Sequence, residues 1–222
     1  MTVAVLFDLE DTLVQTSWED FQNVLKFRRE TREKLLELGI PPDMLEGIER
    51  ATIMRNIASE YVEENFSEAK AEKFHREMEK FLLRYELEAA KKSKLFPETI
   101  STLEKLRKLG IKMGIVTNTS AKAANTVFKL HNLKGYFNVV ITREKVKKLK
   151  PDPEGILLAV KELGVKNFFM VGDLVHDVLA AKSANGISII VKRSLEEKFD
   201  SQADYVVRSL SEVPTIIQSK MR

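Results

Sequence analysis

Several apolar runs in this sequence stop at residues suited to holding an anion beside a cation. Asp8 follows the run Val3–Phe7, Thr117 follows residues 113–116, a polar segment after Val139–Ile141 ends in Lys150, and Asp173 and Asp177 follow residues 168–171. Carboxylates are hard oxygen ligands for a divalent metal, and a hydroxyl beside an ammonium suits the oxygens of a transferring phosphoryl group. Singly, each residue has an ordinary reading. An Asp after a strand is commonly a turn former or a cap, Thr117 alone would be a strand-end residue, and Lys150 alone would be a solvated member of a basic run with Lys147 and Lys148. Only their convergence would make a site.

Convergence depends on the elements that carry them. Val3–Phe7 is a continuous apolar run containing β-branched residues, as expected of a strand buried on both faces. After Pro97 the pattern alternates. A helix over 98–109 stops at Gly110, and a strand follows over 113–116; a helix over 121–130 leads to Val139–Ile141, and one over 153–163 leads to a strand over 168–171. Further strands fit Ile187–Val191 and Tyr205–Val207. This β-α alternation predicts an α/β fold, a Rossmann-like parallel sheet with helices on both faces, whose ligands bind beyond the carboxyl ends of the strands.

Residues 17–93 read differently. Phe21, Val24 and Leu25, then Leu45 and Ile48, then Phe74, Met78, Phe81, Leu82 and Tyr85 recur at helical spacing, with no convincing strand among them. Ser17 with Asp20 fits a capping box, Gly39 followed by Pro41 and Pro42 fits a helix stop and restart, and Ser67 fits the cap of a third helix. The block interrupts the α/β unit just after its first strand. It predicts an all-α cap domain, residues 15–94, inserted into a core built from 1–14 and 95–222.

Four segments carry a family resemblance: Phe7-Asp8-Leu9-Glu10-Asp11-Thr12-Leu13, Val116-Thr117-Asn118, Lys150-Pro151-Asp152-Pro153 and Val171-Gly172-Asp173-Leu174-Val175-His176-Asp177. In order and spacing they resemble the four motifs of the haloacid dehalogenase superfamily. The resemblance implies a hydrolase, and specifically a phosphatase acting on a small phosphorylated metabolite. Asp8 would be the nucleophile, forming an aspartyl phosphate that water then cleaves. Mg²⁺ would be held by Asp8, Asp173 and the backbone carbonyl of Glu10, with Asp177 orienting Lys150 or a metal-bound water. Thr117, with the amide of Asn118, would bind phosphoryl oxygens, and Lys150 would face the developing charge and keep Asp8 ionised. The enzymatic alternative is a 2-haloacid dehalogenase, in which the same Asp attacks carbon without metal.

One position departs from the phosphatase pattern. The family places a second Asp two residues after the nucleophile as the acid and base, and here Glu10 stands there. Glu10 folded back would serve as the catalytic acid; pointing away, it would leave a weak enzyme or a binding and regulatory module; or it is a solvated loop residue. Asp11 stands where the family often has Gly, and Asp tolerates the same turn. His176 reads as an incidental hydrogen-bonder or as a contact to metal or substrate. Arg28, Arg29 and Arg32 read as a solvated helix face or as a grip on an anionic tail. Trp18 and Phe21 fit either closure of the crevice or ordinary apolar packing.

Composition narrows the field. At 222 residues the chain can bury a core without disulfides, and it has no cysteine, which excludes thiolate chemistry and Cys-ligated zinc or iron–sulfur sites. Its 36 basic and 33 acidic residues are interleaved and leave a net charge of +3, too little to argue for nucleic acid or membrane as a partner. Val3–Phe7 is too short for a secretory signal, and no apolar run approaches the ~20 residues that span a bilayer, so a cytoplasmic protein is expected. A monomer and a homodimer both fit the long amphipathic helices.

Overall fold

A computed structural model describes residues 3–16, 21–193 and 202–221. In chain order it contains β1 (Val3–Phe7), β2 (Val14–Gln15), α1 (Phe21–Glu37), α2 (Ala51–Asn65), α3 (Glu68–Lys92), β3 (Lys94–Leu95), α4 (Thr99–Lys108), β4 (Lys112–Val116), α5 (Ala121–His131), β5 (Val139–Ile141), α6 (Glu154–Leu163), β6 (Asn167–Gly172), α7 (Val175–Ser183), β7 (Ile187–Val191), β8 (Tyr205–Val207) and α8 (Val213–Met221). Six strands form one sheet in the order β5-β4-β1-β6-β7-β8, every neighbouring pair parallel. This is the α/β, Rossmann-like arrangement that the alternation predicts.

Both faces of the sheet are covered, which is why its strands carry no polar face. All five residues of β1 are buried. Val5 and Phe7 join an apolar cluster with residues of α4, α5 and α8, while Ala4 and Leu6 join another with α6 and α7. From β1 the chain passes through β4 to β5 on one side, then returns across the sheet to β6, β7 and β8 on the other. The loops leaving β1, β4 and β6 therefore diverge at the carboxyl edge, where a crevice forms.

Helices α1, α2 and α3 bury their apolar residues in a third cluster that includes Leu35, Leu45, Met54, Val62, Phe74 and Met78. The expected restart at Pro41 and Pro42 yields only a one-turn 3-10 helix, Pro42–Leu45, and the next α-helix begins at Ala51. Gly39 and Gly47, at φ +94° and +70°, break the helix on either side of that turn. Leu45 is buried all the same, so its apolar spacing reports burial and not an α-helix. Ser67 does precede α3, but its side chain makes no capping bond. Ser17, Trp18 and Asp20 lie outside the described residues.

A short antiparallel ribbon, unsignalled by the residue pattern, pairs Val14 with Leu95 and Gln15 with Lys94 where the helical segment leaves and rejoins the sheet. Helix α3 reaches further than the other two. Phe74, Met78 and Leu82 belong to the helical cluster, whereas Ala90 belongs to the sheet's cluster. Between them Glu79 and Glu86 grip the buried Arg143, which follows β5; Glu79 Oε1 lies 2.8 Å from Arg143 Nη2, and Glu86 also accepts from Ser120 N at 3.1 Å. Among the described residues no helix is long and apolar enough to cross a membrane.

Candidate active site

The strand ends shape the crevice through specific bonds. Asp8 N donates to Val171 O at 2.9 Å, carrying the β1–β6 ladder one residue further and holding Asp8 against β6. The chain then turns at Asp11, whose φ of +54° lies in the left-handed region that Asp tolerates; Thr16 N and Thr16 Oγ1 both donate to Asp11 Oδ1, at 2.8 and 3.0 Å. That turn brings Thr12 Oγ1 within 3.0 Å of Asp173 Oδ1.

Lys150 is fixed through its backbone. Asn118 brackets it, with Nδ2 donating to Lys150 O and Lys150 N donating to Asn118 Oδ1, both at 3.0 Å. Asn56 of α2 treats the preceding residue alike, donating to Leu149 O at 3.0 Å and accepting from Leu149 N at 3.1 Å. At the end of β6, a Cβ on Gly172 would collide with the carboxyl of Asp177. Glycine there lets Asp177 fold back, accept from Leu174 N at 3.1 Å and reach Lys150.

The result is a linked charge cluster on a cavity of about 830 Å³ lined by Asp8, Glu10, Thr117, Asn118, Lys150, Asp173 and Asp177. Lys150 Nζ lies 2.9 Å from Asp8 Oδ1 and 2.7 Å from Asp177 Oδ1. Burial pulls the Lys150 ammonium toward neutrality, but the carboxylates of Asp177 and Asp8 outweigh it and hold its pKa above the ordinary lysine value. For Asp8, burial raises the pKa and Lys150 opposes the rise. Asp173 is pushed well above the carboxylate range by loss of water and by the charges of Asp177, Asp8 and Asp11, against a single hydrogen bond from Thr12.

One carboxylate oxygen each from Asp8, Asp173 and Asp177 lies within 4.8 Å of the others. An all-oxygen set with excess negative charge fits a hard divalent cation such as Mg²⁺, which would supply the charge that Asp173 lacks. Asp177 has both oxygens engaged, with Lys150 and with Leu174 N, an arrangement suited to orienting the lysine.

Glu10 faces the same cavity, but its carboxylate is not part of the three-carboxylate group. Its Oε1 is buried without a hydrogen-bond partner among the described residues. Loss of water first, then the charges of Glu86, Asp8 and Asp11, hold its pKa well above the usual value, while a hydrogen bond with Thr119 opposes them. The solvated-loop reading of Glu10 is therefore not what the structure has. Of the three arginines on α1, Arg28 lines the cavity, Arg29 is exposed and pairs with Glu33, and Arg32 donates to Ile48 O. His176 is buried and lines the cavity. Its Nε2 has no hydrogen-bond partner among the described residues, and burial, with Arg50 and Lys150 nearby, lowers its pKa to about 4.

Sequence reasoning passed over Thr12, Asn56, Arg50 and the Arg143–Glu86 pair. Thr12 sits inside the first motif, and that was a usable signal. The others depend on how α2 and α3 dock, which periodicity does not encode.

Comparison with known proteins agrees with this geometry. Residues 2–185 match the family described as haloacid dehalogenase-like hydrolase. Pyrophosphatase PpaX of Oceanobacillus iheyensis is 26% identical over 225 residues, spanning 96% of this chain and 95% of its own. Phosphoglycolate phosphatase of Escherichia coli O157:H7 is 29% identical over 171 residues, 74% of this chain and 67% of its own. A crystal structure of a HAD phosphatase from Thermococcus onnurineus superposes with a TM-score of 0.59 at 30% identity, covering 98% of each chain. With the four motifs gathered at one strand edge and the family match running through most of its length, this chain belongs to the haloacid dehalogenase-like hydrolases.

Proposed function

We propose that the chain is a Mg²⁺-dependent phosphatase that works through an aspartyl phosphate on Asp8. The observation that carries this reading is Lys150, held between Asp8 and Asp177 at 2.9 and 2.7 Å on the cavity shared with Thr117, Asn118 and Asp173. Lys150 favours the ionised, nucleophilic form of Asp8 against the effect of burial, and Thr117 Oγ1 and Asn118 N donate to the phosphoryl oxygens. An Asp8 oxygen attacks phosphorus, the bond to the leaving oxygen breaks, and Glu10 gives that oxygen its proton. Glu10 then takes a proton from water, whose oxygen displaces Asp8 and releases phosphate. The raised pKa of Glu10 supports this role, because an acid must hold its proton until the leaving group departs. When bound by Asp8, Asp173 and the Glu10 carbonyl, Mg²⁺ supplies positive charge that offsets repulsion between nucleophile and anionic ester.

Residues 15–94 act as a cap over a core of 1–14 and 95–222. In support, the cavity is lined both by Arg28 and Arg50 from the helical segment and by the strand-end residues. The substrate is a small phosphate compound, in keeping with relatives named for pyrophosphate and phosphoglycolate.

The test is hydrolysis of a generic aryl phosphate by wild type, Asp8→Asn and Glu10→Asp, with Mg²⁺ and with chelator. Turnover that needs both Asp8 and Mg²⁺ is expected. Metal-independent halide release from a 2-haloacid would favour the dehalogenase, and a lack of any Asp8-dependent reaction would favour a binding module. A faster Glu10→Asp variant would show that Glu10 is too long for its task.

A further inference from the structure

Lys150 ends a stretch, residues 147–150, that belongs to no helix or strand. The backbone amides of this stretch have no ladder to join, and side chains satisfy them instead. Glu154, at the start of α6, accepts from Lys147 N and Lys148 N at 3.0 and 2.9 Å, and Asn118 brackets Lys150 itself. Leu149 is buried, and Asn56 accepts from its N at 3.1 Å and donates to its O at 3.0 Å. Of these three side chains, Asn56 alone comes from the helical segment.

Asn56 occupies the second turn of α2, where Asn is a poor choice for helix stability because its amide competes for nearby backbone groups. Here that amide is spent on another segment of the chain. One turn further along α2, Glu60 pairs with Lys148 at 2.6 Å, but these side chains are 52% and 46% exposed, and such a surface pair contributes little. The two contacts reach the same stretch and differ in kind. The ion pair ties down a solvated side-chain tip, whereas the amide fixes the backbone of a buried residue next to Lys150.

We propose that Asn56 is a positioning residue for Lys150: by clamping both backbone groups of Leu149, it fixes where the next side chain enters the site. The inference rests on the phosphatase reading, in which Lys150 faces the transferred phosphoryl group, and adds to it a residue that does not itself line the cavity. With Asn56 on Leu149 and Asn118 on Lys150, the peptide between them cannot turn without breaking a bracket. Lys150 Nζ lies 2.9 Å from Asp8 and 2.7 Å from Asp177, so a backbone slip of ~1 Å takes the ammonium off its partners, and misplacement of that size costs on the order of a hundredfold in rate. Glu154 and Asn118 still hold the rest of the stretch when Asn56 is removed, which confines the loss to the placement of the lysine.

The test measures hydrolysis of 4-nitrophenyl phosphate in Mg²⁺ by wild type, Asn56→Ala, Asn56→Gln, Asn56→Asp and Glu60→Gln, together with amide hydrogen exchange across residues 147–150. Asn56→Ala and Asn56→Gln are expected to lower kcat about 10- to 100-fold with KM within about threefold of wild type, because Thr117 and Asn118 still hold the phosphate. Asn56→Asp keeps an acceptor for Leu149 N, while Asp152 N still donates to Leu149 O at 2.9 Å, and should recover most of the loss. Glu60→Gln should leave kcat unchanged. Exchange should quicken at Leu149 and also at Lys150, which Asn56 does not touch, while the amides of Lys147 and Lys148 keep the wild-type rate. Should the alanine variant fail to fold, the glutamine variant, with the same amide one methylene further out, carries the comparison.

Exchange separates this inference from the reading beneath it. Faster exchange at Lys150 in the Asn56 variants of a protein whose wild type turns over no phosphate ester would sustain the positioning role and remove the phosphatase. Faster exchange at Leu149 alone, or a kcat within about twofold of an active wild type in both the alanine and the glutamine variants, would overturn the inference.

Discussion

Replacing Lys150 with Met should expose how much of this fold depends on one ammonium. The Lys150 side chain is 4% exposed, and its Nζ sits 2.9 Å from Asp8 and 2.7 Å from Asp177, whose own side chains are 12% and 4% exposed. Met has nearly the same length and shape, so the change removes charge with little loss of packing. What remains is three carboxylates with oxygens within 4.8 Å of one another and no cation among them. Breaking a buried pair from one side costs roughly 3–5 kcal/mol, since the abandoned charges stay buried. In a domain of this size each kcal/mol moves the melting temperature by about 2–4 °C, so the expected drop is about 6–20 °C.

The deficit should also depend on pH and on metal. Protonation of Asp8 and Asp173 relieves the repulsion, so the drop is expected to be larger at about pH 8 than at about pH 5. Added Mg²⁺ should narrow it by supplying the missing charge. Thermal melts followed by circular dichroism, with chelator and with Mg²⁺, measure all of this. A double variant that also carries Asp177→Asn should recover part of the loss. A Lys150→Met protein melting within about 2 °C of wild type, with chelator near neutral pH, would refute the reasoning, because it would mean that the lysine is not the neutralising partner of these carboxylates.

Three further outcomes are expected. Gly172→Ala should push Asp177 off Lys150, since the new Cβ takes the space of the Asp177 carboxyl, and lower kcat by roughly 100-fold, as a displacement of ~1 Å can; an unchanged kcat would show that Asp177 does not orient the lysine. Asn118→Ala removes the partners of both Lys150 N and Lys150 O and should cost about 1–3 kcal/mol in urea unfolding, with turnover falling as the lysine loosens. Glu10→Gln should flatten the pH dependence of stability in chelator. Because the folded pKa of Glu10 is raised, the native state binds that proton more tightly than the unfolded chain; the stabilisation is complete below the ordinary glutamate range and is lost as pH rises through the raised value. Unfolding curves of equal slope against pH in wild type and variant would contradict this.

The strands and sheet helices were legible because each is short, apolar and closed by a clear stop, as Val139–Ile141 and Gly110 illustrate. Capping and turn chemistry was harder to read. Pro41 and Pro42 looked like the start of an α-helix, yet Gly47 cut it to one turn, and the ribbon of Val14–Gln15 with Lys94–Leu95 is too short to leave a pattern. Within the site, Asp8, Thr117, Lys150 and Asp173 were readable because a parallel sheet sends every strand end to one edge. Glu10 was not, because its environment includes Glu86, 76 residues further on and brought close only by the docking of α3. Arg50 was hidden for a similar reason. It lies in an irregular turn, and no periodicity predicts that such a turn faces the crevice.

Helix α3 is a member of two apolar cores at once, with Phe74 and Met78 in one and Ala90 in the other, and it is bolted to the sheet by Arg143 through Glu79 and Glu86. Melting the helical layer would strip α3 of half its packing and abandon the Arg143 guanidinium in the interior without its counter-ions. The helical layer and the sheet should therefore unfold in a single cooperative transition, not as independent modules, and a fragment lacking the helical layer should be a poor folder.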